Sequence, residues 1–202
     1  MPLKKQNVNN KTSSISTEEK MKEIAAHFGA ILTILGLDLN NDSIKNTPNR
    51  VAKMYVNEIF KGLDKNNFPS ISVFKNDFKY NNMLIEKNIA VFSTCEHHFM
   101  PIIGTVSVAY FPEKNIIGLS KIHRIVHFFS RKPQVQERLT NEIGESLQKI
   151  LQTNNVAVKI QAKHLCIAAR GIEDLDSYTS TFFWGGNFEK TEIKNQFLTN
   201  IN

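Results

Sequence analysis

Apolar residues return every three or four positions along residues 18–35, at Met21, Ile24, Ala25, Phe28, Ile31, Leu32 and Leu35. That period predicts an amphipathic helix with Thr17 as its cap. A second helical run has Thr47 as cap and Pro48 in its first turn, keeps Val51, Met54, Tyr55 and Ile59 in period, and closes at Gly62. From Ile71 the pattern shortens and turns to Ile, Val, Phe and Tyr, so adjacent strands are expected over 83–93 and 102–111. Ser120 reads as the cap of a helix through Ile125, Val126 and Phe129. Pro133 separates it from a longer helix carrying Val135, Leu139, Ile143, Leu147, Ile150 and Leu151. Residues 156–166 and 177–184 read as strands, Gly185-Gly186 as a breaker, and 189–201 as a last helical stretch. Two strands, two helices and two strands make an antiparallel α+β unit with the helical pair on one sheet face.

Composition adds bounds to this picture. The 202 residues, 41% hydrophobic and 22% charged, suit one soluble domain with an appended helical segment. The boundaries expected are a mobile tail over 1–15, a helical segment over 16–69 and the main domain over 70–202. The apolar runs are too short to span a bilayer, so no membrane partner is expected. The polar first fifteen residues lack the apolar core of a secretion signal and the arginines of a transit peptide. Two cysteines better explained as ligands than as a disulfide agree with a reducing compartment, and a cytoplasmic location is expected. The net charge of +6 implies attraction to an anion without saying which one.

The chemistry concentrates in Cys95-Glu96-His97-His98 and His164-x-Cys166. Both cysteines of the chain fall inside this constellation, so a cage of three or four thiolates cannot be built within one chain. Cys95, His98 and Cys166 are the candidate ligands of a zinc ion (Zn2+), with the fourth position left for water. His164 and Cys166, two apart in a strand pattern, are expected to share a face. Taken singly, each of these residues reads as a buried small hydrophobe or an ordinary histidine; their clustering favours the metal site. Zinc with three protein ligands lowers the pKa of bound water to about 7. His97 and His164 remain as candidates for general acid and base, since an imidazole titrates near neutrality. An orienting contact to a ligand is the competing role for each.

Gly118-Leu119-Ser120-Lys121 opens a helix that continues to Arg124. Free amides, a hydroxyl and cations in one place outline a phosphate site, and a solvated basic helix face is the equal alternative. Glu137 has no cation three or four residues away, which weakens an intrahelical ion pair as its purpose. Beside Gln136, its carboxylate suits a flat ring offering adjacent N–H donors, such as the edge of guanine, while a plain solvated glutamate stays open. Arg170 adds a phosphate-competent group just after Cys166.

Four segments, Cys95-Glu96-His97-His98, Gly118-Leu119-Ser120-Lys121, Pro133-Gln134-Val135-Gln136-Glu137-Arg138-Leu139-Thr140 and His164-x-Cys166 with Arg170-Gly171, stand here in the order found in GTP cyclohydrolase I. The chain resembles that family from the Thr47-Pro48-x-Arg50 helix to about Gly186. The resemblance implies a zinc enzyme that converts GTP and water to formate and 7,8-dihydroneopterin triphosphate, the entry to pterins and folates. Water activated at zinc would attack C8 of guanine, formate would leave, and the ribose would rearrange before the pterin ring closes. Carried over by position, Cys95, His98 and Cys166 would hold zinc, and His97 and His164 would move protons. Glu137 with Gln136 would hold the guanine edge, and Lys121, Arg124 and Arg170 the triphosphate. Arg50 and Lys53 would approach phosphate too, and Ser120 would assist the ribose steps. The implied fold is the tunnelling fold, a four-stranded antiparallel sheet with a helical pair between its second and third strands, preceded by N-terminal helices. The implied assembly is a homodecamer of two pentameric rings with active sites at subunit interfaces. Lys132 stands where the family often has arginine, and Phe182-Phe183-Trp184 makes the last strand more aromatic than usual.

Two other readings compete. A related tunnelling-fold pterin or deazaguanine enzyme, such as a reductase with a nucleophilic cysteine, needs a thiol free of metal. A nucleic-acid-binding module with a structural metal is supported by net charge alone. It is opposed by the missing fourth ligand and by the lack of interleaved aromatic and basic residues, so no nucleic-acid partner is expected.

Overall fold

The structure, a computed structural model, describes residues 15–201. The tail expected over 1–15 therefore lies, apart from Ile15, outside the described residues. The chain divides into two compact units between Glu58 and Ile59.

The first unit holds α1 (Thr17–Ile34) and α2 (Thr47–Met54). Ser16, not Thr17, caps α1: its hydroxyl accepts from the Glu19 N–H at 3.1 Å, and the Glu19 carboxylate accepts from the Ser16 N–H at 2.9 Å. This reciprocal pair needs Glu or Gln three residues after the cap, and Thr17 has Lys20 there. Asn46 occupies the cap position of α2 and makes no side-chain cap bond, and Pro48 lies in the first turn.

The single helix expected to run to Gly62 breaks up. After Met54 come a π-helical turn, Tyr55–Ile59, and a 3-10 turn, Lys61–Leu63. Gly62 is a point of close approach rather than a helix stop. Its N–H donates to the Arg131 carbonyl at 2.8 Å, and a Cβ there would fall 2.3 Å from the Phe128 carbonyl oxygen.

The second unit runs β1 (Val73–Lys75), β2 (Leu84–Cys95), β3 (Pro101–Tyr110), β4 (Asn115–Ile117), α3 (Leu119–Ser130), β5 (Pro133–Gln134), α4 (Gln136–Leu151), β6 (Val156–His164), α5 (Leu165–Ala168), β7 (Thr179–Trp184) and α6 (Thr191–Ile201). The main sheet has the order β5-β2-β3-β6-β7, and β1 and β4 form a separate ribbon. Its four long strands are antiparallel with α3 and α4 inserted between β3 and β6, as expected. The fifth strand was not expected. Pro133 and Gln134 pair in parallel with Thr94 and Cys95, a two-residue match too short to leave a period-two pattern.

Alternation decides what each face meets. Ile89 and Val91 of β2, Val106 and Val108 of β3, and Val156, Val158 and Ile160 of β6 pack against Ile122, Ile125 and Val126 of α3 and Leu139, Ile143 and Leu147 of α4. Each is buried, and each contributes about 1.5–3 kcal/mol by leaving water. Gly144 lets α4 press onto β7, since a Cβ there would stand 2.3 Å from the Phe183 ring. On the opposite sheet face, Phe188 and Phe197 cover Ala109 and Ala157 beside Trp184. Elsewhere on that face Phe92, Ile103 and Phe182 stay 49, 39 and 39% exposed. The outward edge of β7 pairs with no strand among the described residues. No helix among them is long and apolar enough to cross a membrane.

Candidate metal centre

The register of β2 and β3 pairs Thr94 with Pro101 and leaves residues 95–100 to make the turn. The Cys95 N–H donates to the Met100 carbonyl at 2.8 Å and the Phe99 N–H to the Cys95 carbonyl at 2.9 Å. Phe99 takes φ 54° to close it, an uncommon setting for a residue with a side chain. The Glu96 N–H extends the β5 pairing by donating to the Gln134 carbonyl at 3.0 Å. One turn of chain is thus tied both to β3 and to the segment that starts α4.

Cys166 reaches this turn by a different route from the one expected. β6 ends at His164, opposite Ile102, and Cys166 lies in the single helical turn α5. The next pair would set Leu165 against Pro101, which has no N–H to give, so the ladder stops and the chain coils. His164 and Cys166 therefore do not share a strand face. The coil still carries the thiol inward: the Cys95 and Cys166 sulfurs and a His98 ring nitrogen all lie within 4.8 Å of one another. Both cysteines are free.

The donor set suits a metal. Bonds of about 2.3 Å to sulfur and 2.0 Å to nitrogen would draw the three side chains together by small rotations. Burial pushes the Cys166 thiol up, and its hydrogen bond to Cys95 and that residue's charge push the same way, against the pull of Arg170. Two thiols so close resist losing both protons unless a cation shares them. His97, with a side chain 65% exposed, rests its Nδ1 3.9 Å from the Cys95 sulfur and is not one of the three.

His164 faces the helices, where its Nε2 lies 2.8 Å from Gln136 Oε1. Burial holds this imidazole below its usual value, with the Glu137 carboxylate pulling it up. Gln136 and Glu137 were expected to act together on one ring. Adjacent residues of a helix point apart, and here Gln136 is buried while Glu137 is exposed.

Gly118 occupies the cap position of α3, and Ser120, expected there, is exposed in its first turn. Lys121 Nζ donates to the Ser70 carbonyl at 3.1 Å, and Arg124 is exposed. α3 runs alongside β2, with His123 Nε2 2.9 Å from Glu86 and Pro133 beyond its far end paired with Thr94. Ser120, Lys121 and Arg124 consequently stand at the Glu86 end, roughly 20 Å from Cys95 by helix rise and strand length. No side chain spans that distance within one copy. Arg170 is exposed and close enough for its charge to act on Cys166. Arg50 and Lys53 are exposed on α2, in the first unit.

Two residues, Glu96 and Arg138, make contacts that the sequence motifs do not reveal. Arg138 donates from Nη2 to the Glu96 carboxylate and to the Pro133 carbonyl at 3.0 Å, and from Nε to Gln134 Oε1 at 2.7 Å. Gln134 passes the network to Glu142 at 2.7 Å, which also takes Lys132 Nζ at 2.8 Å. Glu96, which with His97 stands outside the candidate ligand set, thereby clamps the Cys-Glu-His-His turn to α4. The signal in the sequence is a pair of opposite charges in two separated motifs, Glu96 and Arg138, which no single helix contains.

A cavity of about 690 Å3 lies at the other end of the sheet by Glu113, Gln148, Asn154 and Asn187.

Comparison with known proteins identifies the family of the chain. Residues 24–202 match the family described as GTP cyclohydrolase I. GTP cyclohydrolase 1 of Flavobacterium johnsoniae is 53% identical over 187 residues, 93% of this chain and 84% of that protein. The proteins of the same name from Blochmanniella pennsylvanica and Wigglesworthia glossinidia brevipalpis are 49% and 54% identical over 198 and 177 residues. Those matches span 98% and 87% of this chain and 86% and 82% of the relatives. The chain belongs to the GTP cyclohydrolase I family.

Proposed function

We propose that this protein is a zinc-dependent GTP cyclohydrolase that converts GTP and water to formate and 7,8-dihydroneopterin triphosphate, feeding pterin and folate synthesis. The observation that carries the reading is the convergence of Cys95, His98 and Cys166 beside a half-buried His164, in a chain of this family. Cys95, His98 and Cys166 would hold the zinc. When bound, zinc supplies a Lewis-acid centre that makes water nucleophilic at neutral pH.

The chain's own residues do the rest. Glu137, exposed in the first turn of α4, accepts two hydrogen bonds from the adjacent N–H groups of the guanine edge. His164 is neutral near pH 7 because burial disfavours its charge, so it can take a proton. His97, largely exposed and not tied into the core, can swing to deliver one. Lys121, Arg124 and Arg170, with Arg50 and Lys53, engage the triphosphate, and Ser120 assists the ribose steps.

The fold is read as the tunnelling fold, supported by four antiparallel strands with the helical pair between the second and third. Residues 70–202 form its catalytic domain. A homodecamer of two pentameric rings is supported by the open edge of β7, by β2 being covered at only Thr94 and Cys95, and by exposed Phe92, Ile103 and Phe182. The distance between Ser120 and Cys95 favours a site built from more than one copy. Free cysteines agree with the cytoplasm as its location.

Incubating the metal-loaded protein with GTP tests the reading. Formate and a product with pterin fluorescence after oxidation are expected; GTP binding without formate would end it.

A further inference from the structure

Gln136 is 2% exposed, and every polar atom of its side chain is engaged. Its Nε2 lies 2.9 Å from the Thr179 carbonyl, 3.1 Å from Thr181 Oγ1 and 3.3 Å from the Ile160 carbonyl. The hydroxyl directions follow. Thr140 donates to the Gln136 backbone carbonyl at 2.7 Å, so Thr181 is left to donate to Thr140 Oγ1, also at 2.7 Å. A lone pair of Thr181 then remains for the amide nitrogen. Turning the amide over would set its oxygen against two carbonyls, so its orientation is fixed.

One partner remains for Gln136 Oε1, and that is His164 Nε2 at 2.8 Å. An amide oxygen only accepts, so Nε2 of the imidazole must carry the hydrogen. In a neutral ring the other nitrogen, Nδ1, then holds the lone pair.

We propose that Gln136 is a positioning residue: its side chain, held by β6 and β7, takes the Nε2 hydrogen of His164 and leaves Nδ1 as the nitrogen that accepts a proton during turnover. This rests on the reading of His164 as a proton carrier and gives Gln136 a role other than contact with the guanine edge. The strands that hold the glutamine also hold the histidine, since His164 is the last residue of β6. The sheet therefore sets both the position and the tautomer of the base.

Neutron diffraction from deuterated, zinc-loaded wild-type crystals at about pH 8.5, two units above the ordinary imidazole value, reads the claim without any substitution. A deuteron on Nε2 of His164 and none on Nδ1 is expected; the reverse would overturn it. That measurement stands whether or not the protein releases formate from GTP, so its failure is distinct from failure of the cyclohydrolase reading. Gln136→Met removes the acceptor at constant volume. It is expected to lower kcat about a hundredfold, the low end for losing a positioned base, with zinc content and GTP affinity within about threefold of wild type. Gln136→Glu, which still turns an oxygen to His164, is expected to recover part of kcat. A raised Kd for GTP with kcat unchanged in Gln136→Met would return the residue to the substrate edge.

Discussion

Arg138→Met cuts the clamp between α4 and the metal turn while keeping the volume of the side chain. The lost contacts are the ion pair to Glu96 and the hydrogen bonds to Gln134 and Pro133. The paired side chains are 43 and 33% exposed, so water screens them and the pair contributes about 0.2–1 kcal/mol. With about 0.5–1.5 kcal/mol for each further hydrogen bond, discounted for exposure, a fall of about 1–2 kcal/mol in global stability is expected. The larger consequence is local. A turn no longer fixed to α4 must be ordered when the metal binds, and support of this kind is typically worth 10- to 100-fold in metal affinity. We expect zinc affinity to fall about tenfold, or about 1.4 kcal/mol, read by competition with a fluorescent chelator alongside urea unfolding. Glu96→Gln, which leaves Arg138 its other two acceptors, should weaken zinc less, and the double variant should fall short of the sum of the singles. Zinc affinity within twofold of wild type in Arg138→Met, with only the urea midpoint lowered, would mean that the network serves the helix and not the metal.

Gly144→Ala should cost about 1–3 kcal/mol, because the Phe183 ring must leave its place against α4; an unchanged urea midpoint would contradict that packing. A site shared between copies predicts that Cys166→Ser and Arg124→Ala, each inactive alone, regain part of the activity when refolded together, and no recovery would confine the site to one chain. His127 is exposed, yet partial desolvation against α3's neighbours first, and then Arg131 and His123, hold it below the ordinary imidazole value, against a hydrogen bond to Ala90. The unfolded chain therefore takes up this proton at higher pH than the native one, and stability falls as pH drops below about 6.5. His127→Gln should flatten that part of the curve of urea midpoint against pH, and parallel curves would refute the assignment.

The long elements were legible because their periods are set by what they bury: Leu139, Ile143 and Leu147 mark one face of α4, and Val156, Val158 and Ile160 one face of β6. Boundaries were less so. Ser16 outcompetes Thr17 through Glu19, and the 3-10 turn Lys61–Leu63 brings the Gly62 backbone against Phe128 and Arg131, which no local window contains. The candidate metal ligands were legible by type and count, yet Cys166 reaches the cluster from a helical turn that begins where Pro101 ends the ladder, not from a strand face shared with His164. Gln136 and Glu137 looked alike as neighbours in a polar motif, and only the packing of α4 on β6 and β7 separates an inward amide from an outward carboxylate. Glu96 and Arg138 required knowing that two distant segments meet. The separation of Ser120 from Cys95 required the direction of α3 along β2.

Zinc titrated into metal-free protein in the presence of GTP tests the central claim most directly. Formate production is predicted to rise linearly and to saturate at one zinc per chain in the wild type. Cys166→Ser should neither hold the metal nor release formate, and His164→Ala should hold one zinc and release none. Full formate release before any zinc is added, or equal zinc loss in both variants, would contradict the assignment of Cys95, His98 and Cys166 to the metal and His164 to the proton.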